Sequence, residues 1–151
     1  LPGHPTGITM DSKERIYVCL YRQDKIVRMD DMTGKNMVSF GVHGTGVREL
    51  HYPADIRVDE EGRIYITDKF NHRIVRMDDM EGNGWIEFDI RVLGNVTAPN
   101  VLTFTEDGKL LFTCLESLVQ MDNMNGDNPI IFGSKGHGKF NFRQPIDICI
   151  G

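Results

Sequence analysis

The chain has 151 residues, with 17 Lys and Arg against 22 Asp and Glu, a formal net charge of −5, 40% hydrophobic residues and 26% charged residues. That is enough apolar material for a core and too little net charge for disorder. No apolar run approaches the roughly 18 residues that cross a bilayer, residues 1–20 lack a basic region followed by an apolar one, and the acidic balance argues against sequence-independent nucleic-acid binding.

Read from the N-terminus, the chain repeats itself. The segment PTGITMDSKERIYVCLYRQDKIVRMDDMTG, beginning at Pro5, lies without a gap over PADIRVDEEGRIYITDKFNHRIVRMDDMEG, beginning at Pro53, an offset of 48 residues. Pro5 and Pro53, Ile8 and Ile56, Asp11 and Asp59, Arg15 and Arg63, Ile16 and Ile64, and Tyr17 and Tyr65 coincide, as do the blocks Ile26–Met32 and Ile74–Met80. A third copy starts at Pro99, 46 residues on, and carries a two-residue deletion before Leu118. A fourth opens with QPIDICIG at Gln144, and the connection from Phe40 to Ile56 matches that from Phe132 to Ile148.

Period and punctuation predict short strands in each copy. In the second they fall at 56–58, 63–67, 73–77 and 85–88, separated by a turn at Asp59–Gly62, a loop through Lys69–His72 and a turn at DDMEGNG. Helical spacing is absent, so the unit is a four-stranded antiparallel meander. Apolar residues on both of its faces require stacked neighbours. An all-β repeat of about 45 residues with both faces buried predicts a β-propeller, which closes with roughly four to eight blades. The expected blades are about 1–41, 42–92 and 93–133, with the start of a fourth at about 134–151. Three blades and one strand do not close a ring. The rest is expected either from the same, longer chain or from a second copy.

The stretch GTGVRELHYPADIRVDEEGRIYITDKFNHRIVRMD, with its Asn71-His72-Arg73 triplet, resembles the NHL repeat. The resemblance is strong in the second copy, good in the first, where Gln23-Asp24-Lys25 replaces the triplet, and degenerate in the third. It implies a propeller, commonly six-bladed, of roughly 276 residues at this repeat length. NHL-like propellers include protein-binding scaffolds and RNA-binding modules, and more distant relatives include lyases and metal-dependent lactonases working at one end of the channel.

Each class needs different residues. His72 and Asp68 read as loop-fixing residues, because the triplet is a repeat signature. His43 and His137, in the Gly-rich connections, do not align with each other and read as surface histidines. The starts of the innermost strands line a channel mouth, and there stand Gly7, Asp55, Val101 and Asp147. Asp55 and Asp147, with Asn100 and Glu116, form an oxygen-rich set that could hold Ca²⁺ or simply line a solvated rim. Basic and aromatic residues meet at Tyr21-Arg22 and Lys69-Phe70, the pairing that holds single-stranded RNA, but Glu116-Ser117 interrupts the stripe in the third copy.

The Asp-Asp-Met-x-Gly segments read as hairpin turns whose methionines pack the blade rim. Cys19, Cys114 and Cys149 are odd in number, lack a CxxC pair and read as small buried hydrophobes. The reading that results is a non-catalytic propeller scaffold with a protein partner or larger complex, no resident cofactor and no nucleic acid. Its candidate binding residues are Asp55, Asn100, Glu116, Asp147, Arg22, Lys69 and Phe70. The alternatives are a divalent-cation-dependent lyase or lactonase-like hydrolase and a single-stranded RNA binder; compartment stays open.

Overall fold

The computed structural model describes residues 3–133, 145 and 147–150. Fourteen strands run through the described residues. β1 (Pro5–Met10), β2 (Ile16–Leu20), β3 (Lys25–Met29) and β4 (Val38–Phe40) form the first antiparallel meander. β5 (Val42–His43) and β6 (Glu49–Leu50) are a short parallel pair in the connection. The second meander is β7 (Pro53–Val58), β8 (Ile64–Asp68), β9 (Arg73–Met77) and β10 (Ile86–Asp89). The third is β11 (Leu102–Phe104), β12 (Leu110–Thr113), β13 (Leu118–Met121) and β14 (Ile130–Phe132). Apart from 3-10 turns at Tyr21–Gln23, Lys69–Asn71 and Ile90–Leu93, the described residues hold no helix. None is therefore long and apolar enough to cross a membrane.

The strands follow the predicted order, with differences at their ends. β7 begins at Pro53, three residues before the expected start, because a proline is tolerated as the first residue of an edge strand. The pairing register of β7 with β8 shifts between Pro53 and Asp55, and β1 with β2 shows the same irregularity between Pro5 and Ile8. Of the expected opening strand of a fourth repeat, the described residues 147–150 form no strand, and the rest, with Gln144 and His137, falls largely outside the described residues. Cys149 is accordingly exposed, a correction to its expected burial, whereas Cys19 and Cys114 are buried.

Stacking buries both faces of the second sheet, as its composition demands. One face carries Ile56, Ile64, Ile66, Val75 and Met77, which pack with Tyr17, Cys19, Ile26 and Phe40 of the first sheet. The other presents Tyr65 and Ile74 to Leu102, Leu110, Phe112, Val119 and Met121 of the third. Alternation along each strand thus sends successive side chains to opposite neighbours. The Asp-Asp-Met-x-Gly turns close by one rule in all three sheets. Asp31 Oδ1 accepts the Thr33 amide, Asp79 Oδ1 accepts that of Glu81, and Asn123 Oδ1 accepts that of Asn125. Met29, Met77 and Met121 are buried beside these turns, but Met32 is 83% exposed, so only part of the methionine set packs.

Candidate functional site

The loops joining second to third strands and the segments entering each first strand lie at one end of the sheets, since Pro53 pairs with Asp68 and Pro5 with Leu20. This end holds the NHL-like triplet. Asp68, at the end of β8, is fully buried and accepts hydrogen bonds from the His51 amide at 2.7 Å, Asn71 Nδ2 at 2.8 Å and Arg73 Nε at 2.8 Å. Burial pushes its carboxyl up, while these donors pull the other way.

Arg73 also reaches the carbonyls of Thr45, Gly46 and Glu49 and the Glu87 carboxylate. Asn71 Nδ2 donates to the Gly44 carbonyl as well. The Gly-rich connection has few side chains with which to hold itself, and the triplet supplies what it lacks. His72 caps the next unit. It stands in the left-handed region at φ 53°, and its Nδ1 accepts the Ala98 amide at 3.0 Å. Asp24, at the matching position of the first repeat and at φ 54°, accepts the Tyr52 amide at 2.7 Å.

Tyr52 and Ala98 each precede the proline that opens the next repeat, so one side chain per repeat fixes each entry. Asp tolerates the left-handed region better than Ala does. His72→Asp is therefore expected to unfold in urea within about 0.5 kcal/mol of wild type, and His72→Ala to lose about 1–2 kcal/mol. Equal losses in the two variants would remove the capping role.

The channel-side cleft, of about 400 Å³, is lined by the starts of the innermost strands, including Gly7, Ala54, Asp55, Asn100, Val101 and Asp147. The structure thus brings Asp55, Asn100 and Asp147 together. Asp55 is 4% exposed, however, with Oδ2 accepting the Leu102 amide at 2.9 Å and Oδ1 accepting Arg57 Nη1 at 2.9 Å. Burial pushes its carboxyl up. Glu116 lies in the loop between β12 and β13 and is not among the described residues lining this cleft. Ca²⁺ takes six to eight oxygens, and a carboxylate committed to an amide and a guanidinium is a poor donor. Among the described residues, no three His, Cys, Asp or Glu side chains converge on a point that could hold a metal ion. The donor set does not fit a cation cage.

Beside it lies a second cleft of about 360 Å³, lined by Tyr21, Lys69, Phe70, Ala98, Cys114 and Leu115, with Asn100 shared between the two and Pro145 at its margin. Its wall is aromatic. The Tyr21 and Tyr52 ring centroids are 4.7 Å apart, Tyr52 and Phe70 are 4.8 Å apart, and His51 stands edge-on to Phe70 at 5.4 Å. Phe70 remains 45% exposed. Its amide donates to the His51 carbonyl, which anchors the shelf to the connection. Lys69 Nζ lies 5.9 Å from the Tyr21 ring centroid and donates to Asn100 Oδ1 at 3.2 Å. Burial lowers its proton affinity.

Burial pushes the thiol of Cys114, which lines this cleft, up to about 12, away from the thiolate form that nucleophilic chemistry uses. Arg22 is exposed on the 3-10 turn at Tyr21–Gln23 and lines neither cleft. Lys69, Phe70 and Asn100 are therefore united with Tyr21. Sequence reasoning missed His51, Tyr52 and Asp24 as parts of this end of the molecule. The available signal was positional, since Tyr52 immediately precedes the proline that opens the second repeat and Asp24 stands in for His72.

His43 Nδ1 lies 2.8 Å from Asp24 Oδ2, and the His43 ring stands edge-on to His51 with centroids 4.8 Å apart. That is a surface pair at the rim of the shelf. His137 lies outside the described residues.

Residues 50–77 match the NHL repeat family model. A search of curated protein sequences found no match. Among solved structures, a streptogramin B lyase superposes with a TM-score of 0.66 at 21% identity, over 87% of this chain and 42% of that one. Virginiamycin B lyase from Staphylococcus aureus gives 0.66 at 16% identity, over 90% of this chain and 43% of that one. Hydrazine synthase from Kuenenia stuttgartiensis gives 0.65 at 16% identity, over 84% and 34%. The NHL resemblance therefore stands on the second repeat, and the fold is that of β-propeller proteins. The chain spans less than half the length of these proteins.

Proposed function

We propose that this chain is the binding face of a propeller scaffold that captures a segment of a partner protein on the aromatic shelf, without chemistry of its own. The observation that carries the reading is Phe70, a large ring left 45% exposed although Tyr52 and His51 pack against it. Rigid aromatic side chains beside an apolar cleft with a few polar groups are the usual anchors of protein recognition. They are held here by turns and by sheet stacking, so little conformational entropy is lost on docking.

A lyase or hydrolase is the second reading, favoured by likeness to lyases in fold alone. It requires an open acid or base at the channel mouth, and Asp55 there is spent on Leu102 and Arg57. Single-stranded RNA is disfavoured by the net charge of −5 and by Glu116 at the repeat position of Phe70.

The test is an array of short peptides probed with wild-type chain and with Phe70→Ala. Retained peptides are expected to share an aromatic or branched apolar anchor, and Phe70→Ala to weaken them by about tenfold or more while the melting temperature holds. Peptide binding untouched by Phe70→Ala would place the site elsewhere. Tighter retention of an oligouridine than of any peptide would replace the reading with RNA binding.

A further inference from the structure

Lys69 occupies an unusual position for a lysine. It lines the cleft with Tyr21, Phe70 and Leu115, and its ammonium meets the Asn100 amide oxygen and the Tyr21 ring face. No ion pair joins it to a carboxylate among the described residues, although Asp and Glu outnumber Lys and Arg in the chain. The equivalent positions in the first and third repeats are Tyr21 and Leu115, so the repeat itself does not require a cation there. A half-desolvated ammonium without a counter-charge is costly, and an arriving anion recovers that cost.

Asn100 supplies a second element. An ammonium only donates, so it is the Asn100 oxygen that meets Lys69, and the Asn100 amide nitrogen keeps its N–H donors. Two donors of different geometry, one charged and one neutral, thus stand at the boundary between the apolar cleft and the channel-side cleft.

We infer that this corner of the shelf is a carboxylate site: Lys69 and Asn100 receive the carboxylate of a peptide C-terminus, and its last side chain, apolar or aromatic, lies against Phe70 and Leu115. The inference rests on the protein-binding reading of the shelf and narrows it to one kind of segment. A free C-terminus brings a full negative charge and an adjacent side chain together, as the cleft brings together Lys69 and the apolar Phe70 and Leu115. An internal loop does so only where an acidic residue adjoins an apolar one.

Small probes test this independently of any peptide array. N-acetylphenylalanine and N-acetylphenylalaninamide differ in the carboxylate alone, and uridine 5′-monophosphate offers a phosphate with a flat base. Each is titrated at millimolar concentrations into the ¹⁵N-labelled chain, with amide shifts at Lys69, Phe70, Asn100 and Leu115 as the readout. The acid is expected to bind at least tenfold more tightly than the amide. Lys69→Met is expected to erase that difference while leaving the amide's weak binding, and Lys69→Arg to preserve the difference.

Equal binding of acid and amide to wild type would overturn the carboxylate site and leave the apolar shelf standing as a protein-binding surface. Absence of binding by both would overturn the site as well, with the peptide array still deciding the broader reading. Tighter binding of the nucleotide than of the acid would overturn it in favour of phosphate recognition. If the spectrum of free Lys69→Met shows a disturbed fold, Lys69→Arg becomes the deciding variant, and its loss of acid preference would count equally against the inference.

Discussion

Arg73→Ala is expected to lower the unfolding free energy by about 3–5 kcal/mol, the scale for breaking a buried ion pair from one side. The Arg73 side chain is 5% exposed and donates five hydrogen bonds, one to the fully buried Asp68 and three to carbonyls of the 45–49 connection. Truncation leaves Asp68 without its cation and takes one donor from each of the Thr45, Gly46 and Glu49 carbonyls in one step. Arg73→Lys keeps the charge but not the planar fork, and an intermediate loss of about 2 kcal/mol is expected.

The first repeat shows what the structure does without the pair. It has Leu20, Gln23 and Lys25 where the second has Asp68, Asn71 and Arg73. Asp68→Leu combined with Arg73→Lys is therefore expected to cost less than the sum of its two single changes, because no carboxylate remains buried alone. Guanidinium unfolding of the four chains measures this. Additivity within about 0.5 kcal/mol would show that Asp68 and Arg73 do not act as a unit.

That pair also shows why the sequence was partly readable. Period and turn chemistry are local, so offsets of 48 and 46 residues are enough to place three sheets and to assign the triplet to loop fixing. Which loop it fixes was not readable. Arg73 bonds residues 24 to 28 positions away, and the two-residue strands β5 and β6 are too short to show a period.

The channel mouth was legible as a place but not as chemistry. Asp55 falls within β7, the first strand of the second sheet, yet its commitment to the Leu102 amide depends on how the neighbouring sheet approaches, which one repeat does not encode. The aromatic shelf is a further case. Tyr21, Tyr52 and Phe70 come from loops of two different repeats, and only stacking brings their rings together.

How closely the sheets approach at the axis sets the second large effect. Gly7 occupies the repeat position of Asp55 and Val101, so consensus reasoning recommends giving it a side chain. A Cβ there would lie 2.5 Å from the Asp55 Cα and 2.9 Å from the Ala54 carbonyl oxygen. Both are backbone atoms, and Asp55 is tied on its other side to the Leu102 amide of β11, so β7 has little room to retreat. Gly7→Ala is expected to cost about 1–3 kcal/mol by overpacking, and Gly7→Asp more, since it adds a carboxylate beside that of Asp55. Val101→Ala at the matching position, where no such approach is demanded, is the control and is expected to stay within about 1 kcal/mol of wild type. If Gly7→Ala proves as mild as the control, the first and second sheets are further apart at the axis than this structure places them. The channel-side cleft would then be wider, and Asp55 freer to act, than its present bonds allow.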